Sequence, residues 1–143
     1  MLLFTARSIC GVRSPNFSSV LYRTASSKMS GIDAIEDVDI DSKGKFKYIL
    51  IEAKDSNKSK FIVRGYGSCG FHADIFDKVE GKAPKGIRLN CVGGGRILHE
   101  PDAKKINVYG YSQGFGQADH AKSVEILRSK YPNYDITFSN EGY

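Results

Sequence analysis

The residue with the clearest chemical potential is His72, which follows a glycine-rich turn at residues 65–70 and precedes a predicted helix. The N-terminus of a helix has unpaired N–H groups and the positive end of the helix dipole, so it binds phosphate or sulfate readily. The same dipole disfavours an imidazolium ion, and a neutral imidazole can act as a base or a nucleophile at neutral pH. The alternative is a polar histidine that only caps the helix, which is the commoner role of a lone histidine.

Two further segments have residue types that bind anions. Residues 109–116 read YGYSQGFG, between a predicted strand and a predicted helix. Their glycines let backbone amides approach an anion, and Ser112 adds a hydroxyl donor. The G-x-x-x-x-G-K-[ST] pattern is absent, so an ordinary strand-to-helix turn is the alternative. Residues 93–95 are all glycine and precede Arg96, whose guanidinium could hold an anion with two hydrogen bonds; the alternative is a bent strand with a surface arginine.

A fourth candidate is Lys47, a cation on a strand face that it shares with Ile49 and Ile51. Such a lysine either extends its ammonium group to solvent or meets an anion. We interpret His99 and His120 as structural or surface residues. The histidines and cysteines form no spacing typical of a metal site, so we expect neither a metal ion nor a cofactor.

Hydrophobic periodicity predicts the elements that must position these residues. The order β-β-β-α-β-β-α-β indicates a single α+β (α/β) domain with a mixed sheet and two helices. The predicted strands are residues 38–40, 46–53, 61–63, 89–99 with a bulge or bend at 93–95, 106–110 and 134–139. The predicted helices are residues 73–79, with Gly81 as C-cap, and residues 117–130, which end before Pro132.

The strand at residues 46–53 divides its side chains between the two faces of the sheet. Phe46, Tyr48 and Leu50 point one way, and Lys47, Ile49 and Ile51 point the other. Because both faces are mostly apolar, we expect this strand to be central.

The charge of the chain is unevenly distributed. The 143 residues include 21 basic and 16 acidic ones, a formal net charge of +5. Residues 1–28 hold four basic residues and no acidic one, which leaves 17 basic against 16 acidic residues in the body. A nearly neutral body argues against a nucleic-acid-binding protein. The chain is long enough for one core, and its apolar runs are far too short to span a membrane.

The segment at residues 1–28 is rich in serine, contains arginines and has the composition of a mitochondrial transit peptide. The alternative is a disordered extension upstream of a translation start at Met29, and in both cases the folded body is residues 29–143. The three cysteines show no pairing pattern, which indicates reduced thiols in an intracellular protein. We expect a cytoplasmic location, or a mitochondrial one if residues 1–28 act as a transit peptide.

Several motifs that occur in order make the chain similar to the Janus family. They are VDID at residues 38–41, FKYILI at 46–51, VRGY at 63–66, FHADIFD at 71–77, GGGRI at 93–97, VYGYS at 108–112, KYP at 130–132 and NEGY at 140–143. The resemblance covers roughly residues 35–143. It implies a monomer with a mixed six-stranded sheet flanked by two helices. It also implies a metal-independent phosphatase that acts on phosphohistidine, and on phospholysine, in proteins.

The resemblance assigns roles to particular residues. His72 matches the family's catalytic histidine, Lys47 its substrate-binding lysine, and Ser112, Gln113 and Gly114 its phosphate-contacting loop. Arg64 and Arg96 match arginines of the family pattern, and we expect Arg96 to bind substrate. Vertebrate relatives have alanine at position 114, a change that a backbone N–H contact tolerates.

The expected chemistry is hydrolysis of the P–N bond of phosphohistidine. His72 would act as a general base toward water, or as a nucleophile that forms a transient phosphoenzyme. The alternative function is a non-catalytic phosphate-binding regulatory protein, because insect janus proteins are linked to sex-regulated expression. The expected partners are phosphohistidine-containing proteins, with no nucleic acid and no membrane.

Overall fold

A computed structural model describes residues 31–143 as one α+β domain, and the prediction for residues 1–28 lies outside this range. Its strands are β1 (Val38–Ile40), β2 (Gly44–Lys54), β3 (Ser59–Gly65), β4 (Arg88–Glu100), β5 (Lys105–Tyr109) and β6 (Asp135–Phe138). Its helices are α1 (His72–Lys82) and α2 (His120–Lys130). This succession confirms the predicted order of elements.

The six strands form one mixed sheet in the order β1-β3-β2-β4-β5-β6. The four inner strands pair antiparallel, whereas β1 and β6 pair parallel with β3 and β5 at the two edges. β2 has a partner on each side, so the prediction that it is central is confirmed. Its neighbours satisfy its backbone groups, and its two faces are left to pack against helices.

The alternating side chains of β2 contribute to two hydrophobic cores, one on each face of the sheet. Phe46, Tyr48 and Leu50 pack in one core with buried residues of α2. Ile49 and Ile51 pack in the other core with buried residues of α1. Each face is therefore covered by one helix. Lys47 belongs to the same alternating set as Ile49, so it lies on the α1 face.

The C-terminal end of α1 differs from the prediction. The helix continues through Gly81 to Lys82, and the N–H of Ala83 closes the last turn on the carbonyl of Glu80 at 3.2 Å. The prediction of Gly81 as C-cap was therefore wrong. Gly81 lacks the positive φ that makes a glycine favourable just after a helix.

α2 begins later than predicted, at His120 instead of residue 117. Asp119 is its N-cap, and the Asp119 carboxylate accepts the N–H of Lys122 at 3.2 Å. The two preceding residues are held by β4. The N–H of Ala118 donates to the carbonyl of Gly94 at 3.1 Å, and residue 117 forms a single bridge to the same glycine. Pairing with the sheet thus takes these backbone groups out of the helix.

Three consecutive glycines lie within β4, and the first of them forms the predicted bulge. Leu50 pairs with Gly93 whereas Ile51 pairs with Cys91, which leaves Val92 as the extra residue. Gly93 has a φ of 155°. A Cβ there would lie 2.6 Å from backbone atoms of Ala118. The bulge therefore requires a residue without a side chain.

A buried hydrogen-bond chain packs against Gly95 on the α2 face. The Tyr48 hydroxyl lies 2.6 Å from His120 Nδ1 and 3.0 Å from Ser123 Oγ. The other ring nitrogen of His120, Nε2, donates to the carbonyl of Gly110 at 2.8 Å. A Cβ at Gly95 would lie 2.8 Å from Cε1 of the same ring. His120 is therefore structural, as the sequence indicated.

His99 is also placed as a structural residue. His99 is buried, and its Nδ1 donates to the carbonyl of Asp41 at 2.9 Å. Cys69 and Cys91 are free thiols, as predicted. No helix between residues 31 and 143 is long and apolar enough to cross a membrane.

Replacement of Gly93 by alanine should destabilise the fold, because the new methyl group would clash with the backbone of Ala118. We expect the free energy of unfolding to fall by about 1–3 kcal/mol, the usual cost of overpacking. Gly81→Ala is the matched control. Nothing lies within 4 Å of a Cβ at this helical position, so the change should raise the free energy of unfolding by about 0.5–1 kcal/mol. Denaturant unfolding measures both, and an unchanged Gly93→Ala protein would contradict the close approach.

Candidate active site

One open cavity of about 550 Å³ is lined by all the residues predicted to act on or bind a substrate, namely Lys47, His72, Arg96, Ser112, Gln113 and Gly114. The rest of its lining is Gly70, Phe71, Ala73, Tyr111, Phe115 and Tyr143. The cavity lies where the N-terminus of α1, the loop after β5 and two cations of the sheet meet. This co-location is what a shared site requires, while the role of each residue stays a prediction.

His72 is the first residue of α1, and the sheet holds its ring in one orientation. Its Nε2 lies 3.0 Å from the carbonyl oxygen of Gly95. A carbonyl only accepts hydrogen bonds, so Nε2 has the hydrogen and Nδ1 of the neutral ring has the free electron pair. The ring packs on Gly94, where a Cβ would lie 2.8 Å from Cδ2. A histidine held in this way can use Nδ1 as a base or a nucleophile.

Burial lowers the pKa of His72 below its usual value of about 6.5, and the positive charges of Lys47 and Arg96 lower it further. The hydrogen bond to Gly95 opposes this, because it stabilises the protonated ring. The ring is therefore mostly neutral at neutral pH. This is the form that a base or a nucleophile requires.

The first turn of α1 has backbone donors at the cavity. Asp74 caps this turn, because its carboxylate accepts the N–H of Phe71 at 3.1 Å and its own N–H donates to the carbonyl of Phe71 at 3.1 Å. Within the described part of the chain, the N–H groups of His72 and Ala73 have no hydrogen-bond partner. They are available to an anion, as is usual at a helix N-terminus.

The segment after β5 folds into a tight loop that Ser112 and Gly116 close. The N–H of Ser112 donates to the carbonyl of Gly116 at 3.0 Å, and the reverse bond measures 2.8 Å. The Ser112 hydroxyl accepts the N–H of Phe115 at 3.1 Å, so its own hydrogen remains available. The N–H groups of Gln113 and Gly114 have no partner within residues 31–143. The loop therefore has free donors of the kind that an anion needs.

Gly94 joins this loop to His72. The N–H of Gly94 donates to the carbonyl of Gly116 at 3.0 Å, and its carbonyl accepts the N–H of Ala118. A Cβ at Gly94 would lie 3.2 Å from Ser112 Cβ as well as 2.8 Å from the His72 ring. Because Gly94 has no side chain, the His72 ring and Ser112 can both pack against the same residue of β4.

Lys47 and Arg96 lie directly opposite each other on β2 and β4. Neither forms an ion pair with an acidic residue of the described chain. The Arg96 Nε is buried and has no hydrogen-bond partner there. Adjacent cations repel each other, and an anion between them would relieve that repulsion. This end of the cavity therefore favours an anionic ligand.

An aromatic rim surrounds the cavity, and the sequence patterns did not reveal it. Phe71, Tyr111 and Tyr143 are 72%, 39% and 61% exposed. The Tyr143 ring packs on Gly110, and its hydroxyl hydrogen-bonds both the N–H and the carbonyl of Tyr111. The same ring lies 4.6 Å from the guanidinium carbon of Arg96. Tyr143 thus positions both the loop and the arginine, and only its place in the NEGY motif marked it in the sequence.

Arg64, which also matches the family pattern, lies outside this cavity. It is buried, and its guanidinium donates to the carbonyls of Val63 at 2.9 Å and Glu36 at 2.7 Å. These bonds give it a structural role. In the range from residue 31 to 143, no group of three or more histidine, cysteine or acidic side chains could hold a metal ion.

Comparison with known proteins shows the family of this chain. A model of the Janus/Ocnus family matches residues 32–135. The chain is 50% identical over 117 residues to the 14 kDa phosphohistidine phosphatases of Sus scrofa and Homo sapiens, which covers 76% of this chain and 93% and 94% of those proteins. It is 44% identical over 126 residues to the sex-regulated protein janus-A of Drosophila melanogaster, covering 87% of this chain and 91% of that protein. The resemblance indicated by the motifs is therefore confirmed.

The effect of Lys47 on His72 can be measured by an NMR titration of the histidine rings. In Lys47→Gln the pKa of His72 should rise, because a positive charge near the ring is removed. His120 is an internal control. Burial also lowers its pKa, but Lys47 is not among the charges that act on it, so its titration should not move. Equal His72 pKa values in the two proteins would contradict the electrostatic coupling.

Proposed function

The chain belongs to the Janus/Ocnus family, and we propose that it is a phosphatase that hydrolyses phosphohistidine in proteins. The observation that carries the proposal is the anchored imidazole of His72 beside two cations without counter-charges. A phosphoryl group is the ligand that such cations and free N–H donors bind. Two mammalian relatives are named for the same activity.

The cavity has a counterpart for each part of a phosphohistidine side chain. The charged phosphoryl group fits the end formed by Lys47, Arg96 and the 112–114 loop. The planar imidazole of the substrate fits the rim of Phe71 and Tyr111, because aromatic rings stack favourably on one another. Phospholysine has the same P–N bond without the ring. We therefore infer that it is a second substrate, bound through the phosphoryl contacts alone.

In the proposed mechanism, positioning and charge neutralisation supply most of the catalysis. Lys47, Arg96 and the donors of the loop hold the phosphoryl oxygens. Nδ1 of His72 takes a proton from a water molecule, which then attacks phosphorus. A P–O bond forms while the P–N bond breaks, and the proton passes to the leaving imidazole nitrogen. The products are histidine and inorganic phosphate.

The same geometry supports a variant in which His72 is the nucleophile. Nδ1 would attack phosphorus directly, and the leaving imidazole would take up a proton from solvent. The phosphorylated His72 would then be hydrolysed by water to regenerate the free ring. Rapid quenching during turnover separates the two routes, since phosphorylated His72 forms only in the second.

The alternative function is a regulatory protein that binds phosphate without turning over a substrate. The name of the janus-A relatives, sex-regulated protein, points in this direction. The orientation of His72 favours the phosphatase instead. A protein that only binds phosphate has no need of a neutral imidazole whose free nitrogen is set by a buried hydrogen bond.

The full chain should release phosphate from a phosphohistidine peptide in the presence of EDTA, because cations and N–H groups of the protein neutralise the phosphoryl charge. His72→Ala should lower kcat by at least about 100-fold, as expected for loss of a general base. The matched control is Lys85→Ala, an exposed residue beyond the C-terminal end of α1, whereas the cavity lies at the N-terminal end.

Each result of this assay has a distinct meaning. If the full chain releases no phosphate, the proposal that it is a phosphatase is overturned and the regulatory alternative is favoured. Release that persists in His72→Ala overturns the role of His72. Thermal unfolding of the variants shows that any loss of activity is not a loss of fold.

The pH dependence of kcat/KM should report the protonation of His72. Activity should fall as the pH drops through the pKa of His72, which lies below about 6.5, because the protonated ring cannot take a proton. In Lys47→Gln this acid limb should move to higher pH, and the plateau should be lower because a phosphoryl contact is lost. Rates are measured after subtraction of the uncatalysed hydrolysis. An acid limb at the same pH in both proteins would contradict His72 as the titrating base.

A further inference from the structure

A second cavity, of about 200 Å³, lies beside the candidate active site, and the proposed mechanism does not use it. Its lining is Lys45, Phe46, Lys47, Gly67, Cys69 and Arg96. Lys47 and Arg96 line both cavities. These two cations therefore form the boundary between the proposed phosphoryl site and the second cavity.

Three positive charges converge on this second cavity. Lys45 and Lys47 are two residues apart on β2, so their side chains leave the same face of the sheet. Arg96 is the direct partner of Lys47 on the adjacent strand, a position that brings side chains within about 5 Å at Cβ. No residue of the lining is acidic.

Two acidic side chains accept hydrogen bonds from residues 66 and 67, the second of which lines the cavity. The Asp41 carboxylate accepts the N–H of Gly67 at 2.6 Å. The Asp39 carboxylate accepts the hydroxyl of Tyr66 at 2.7 Å. Lys45, like Lys47 and Arg96, has no ion pair within the described residues. The three cations of the cavity therefore form no salt bridge with an acidic side chain of the described residues.

We propose that this second cavity binds the carboxylate of an acidic side chain close to the phosphohistidine in the substrate protein. The inference rests on the proposed function, because a phosphoryl group between Lys47 and Arg96 leaves Lys45 as the uncompensated charge. The shared boundary means that a peptide with its phosphohistidine in the first cavity can extend a flanking residue into the second. Lys45 is then a specificity-determining residue for acidic sequences.

The size of the preference follows from the exposure of Lys45. An exposed lysine gains only a modest amount from a carboxylate, and salt screens that gain. We expect a preference of about two- to fivefold for glutamate over glutamine at low salt, which decreases as the salt concentration rises.

The experiment measures binding of the full chain to labelled peptides with a non-hydrolysable phosphohistidine analogue, in which a P–C bond replaces the P–N bond. Glutamate or glutamine occupies each flanking position in turn. The unchanged chain should prefer glutamate at one position or more. Lys45→Gln should reduce the ratio of the two affinities to about one while it leaves binding of the glutamine peptides unchanged. The control Lys85→Gln, the same loss of charge at the other end of α1, should retain the full preference.

Two results would overturn the proposal: equal affinities for the glutamate and glutamine peptides at every position, or a preference that survives in Lys45→Gln. Phosphate release from an ordinary phosphohistidine peptide with neutral flanks is measured alongside. Lys45→Gln should hydrolyse this peptide at the unchanged rate. If the chain prefers glutamate in binding but hydrolyses no phosphohistidine peptide, the proposed function fails and the acidic-residue site stands.

Discussion

The absence of side chains at three consecutive positions of β4 is the constraint on which the site depends. A Cβ at any of residues 93–95 would lie between 2.4 and 2.8 Å from a neighbouring heavy atom. Because these side chains are missing, His72 and Ser112 approach the strand from one face and His120 approaches it from the other. The next residue of β4, Arg96, lines the cavity, and the carbonyl of Gly95 is the acceptor that orients the histidine.

The electrostatics of the cavity favour both an anionic ligand and a neutral His72 ring. Lys47 and Arg96 have no counter-charge in the described chain. Because they are adjacent and repel each other, binding of an anion between them is favourable. The same two charges, added to burial, keep the pKa of His72 low and its ring neutral. In the proposed function, an entering phosphoryl group would meet donors already in place, and fixed donors act without the cost of reorganisation.

Much of the fold could be predicted from local patterns, because those patterns have a direct physical cause. The two apolar faces at residues 46–53 indicated a central strand, and β2 is central. The glycines of β4 indicated a bulge, and Gly93 forms one. The helix ends could not be predicted in the same way. The start of α2 depends on the bond between Ala118 and Gly94, which only the assembled sheet can form.

The amino-acid sequence was sufficient to predict the order of the elements, the position of His72 at a helix N-terminus and the concentration of basic charge in residues 1–28. Which side chains come into contact depends on the tertiary structure. It paired Lys47 with Arg96 and bound Nε2 of His72, so that Nδ1 is the nitrogen left to react. The two kinds of feature differ in the distance along the chain over which their causes act. Side-chain periodicity and helix dipoles act within one element, whereas strand register and the orientation of a buried ring depend on packing between residues far apart in the chain.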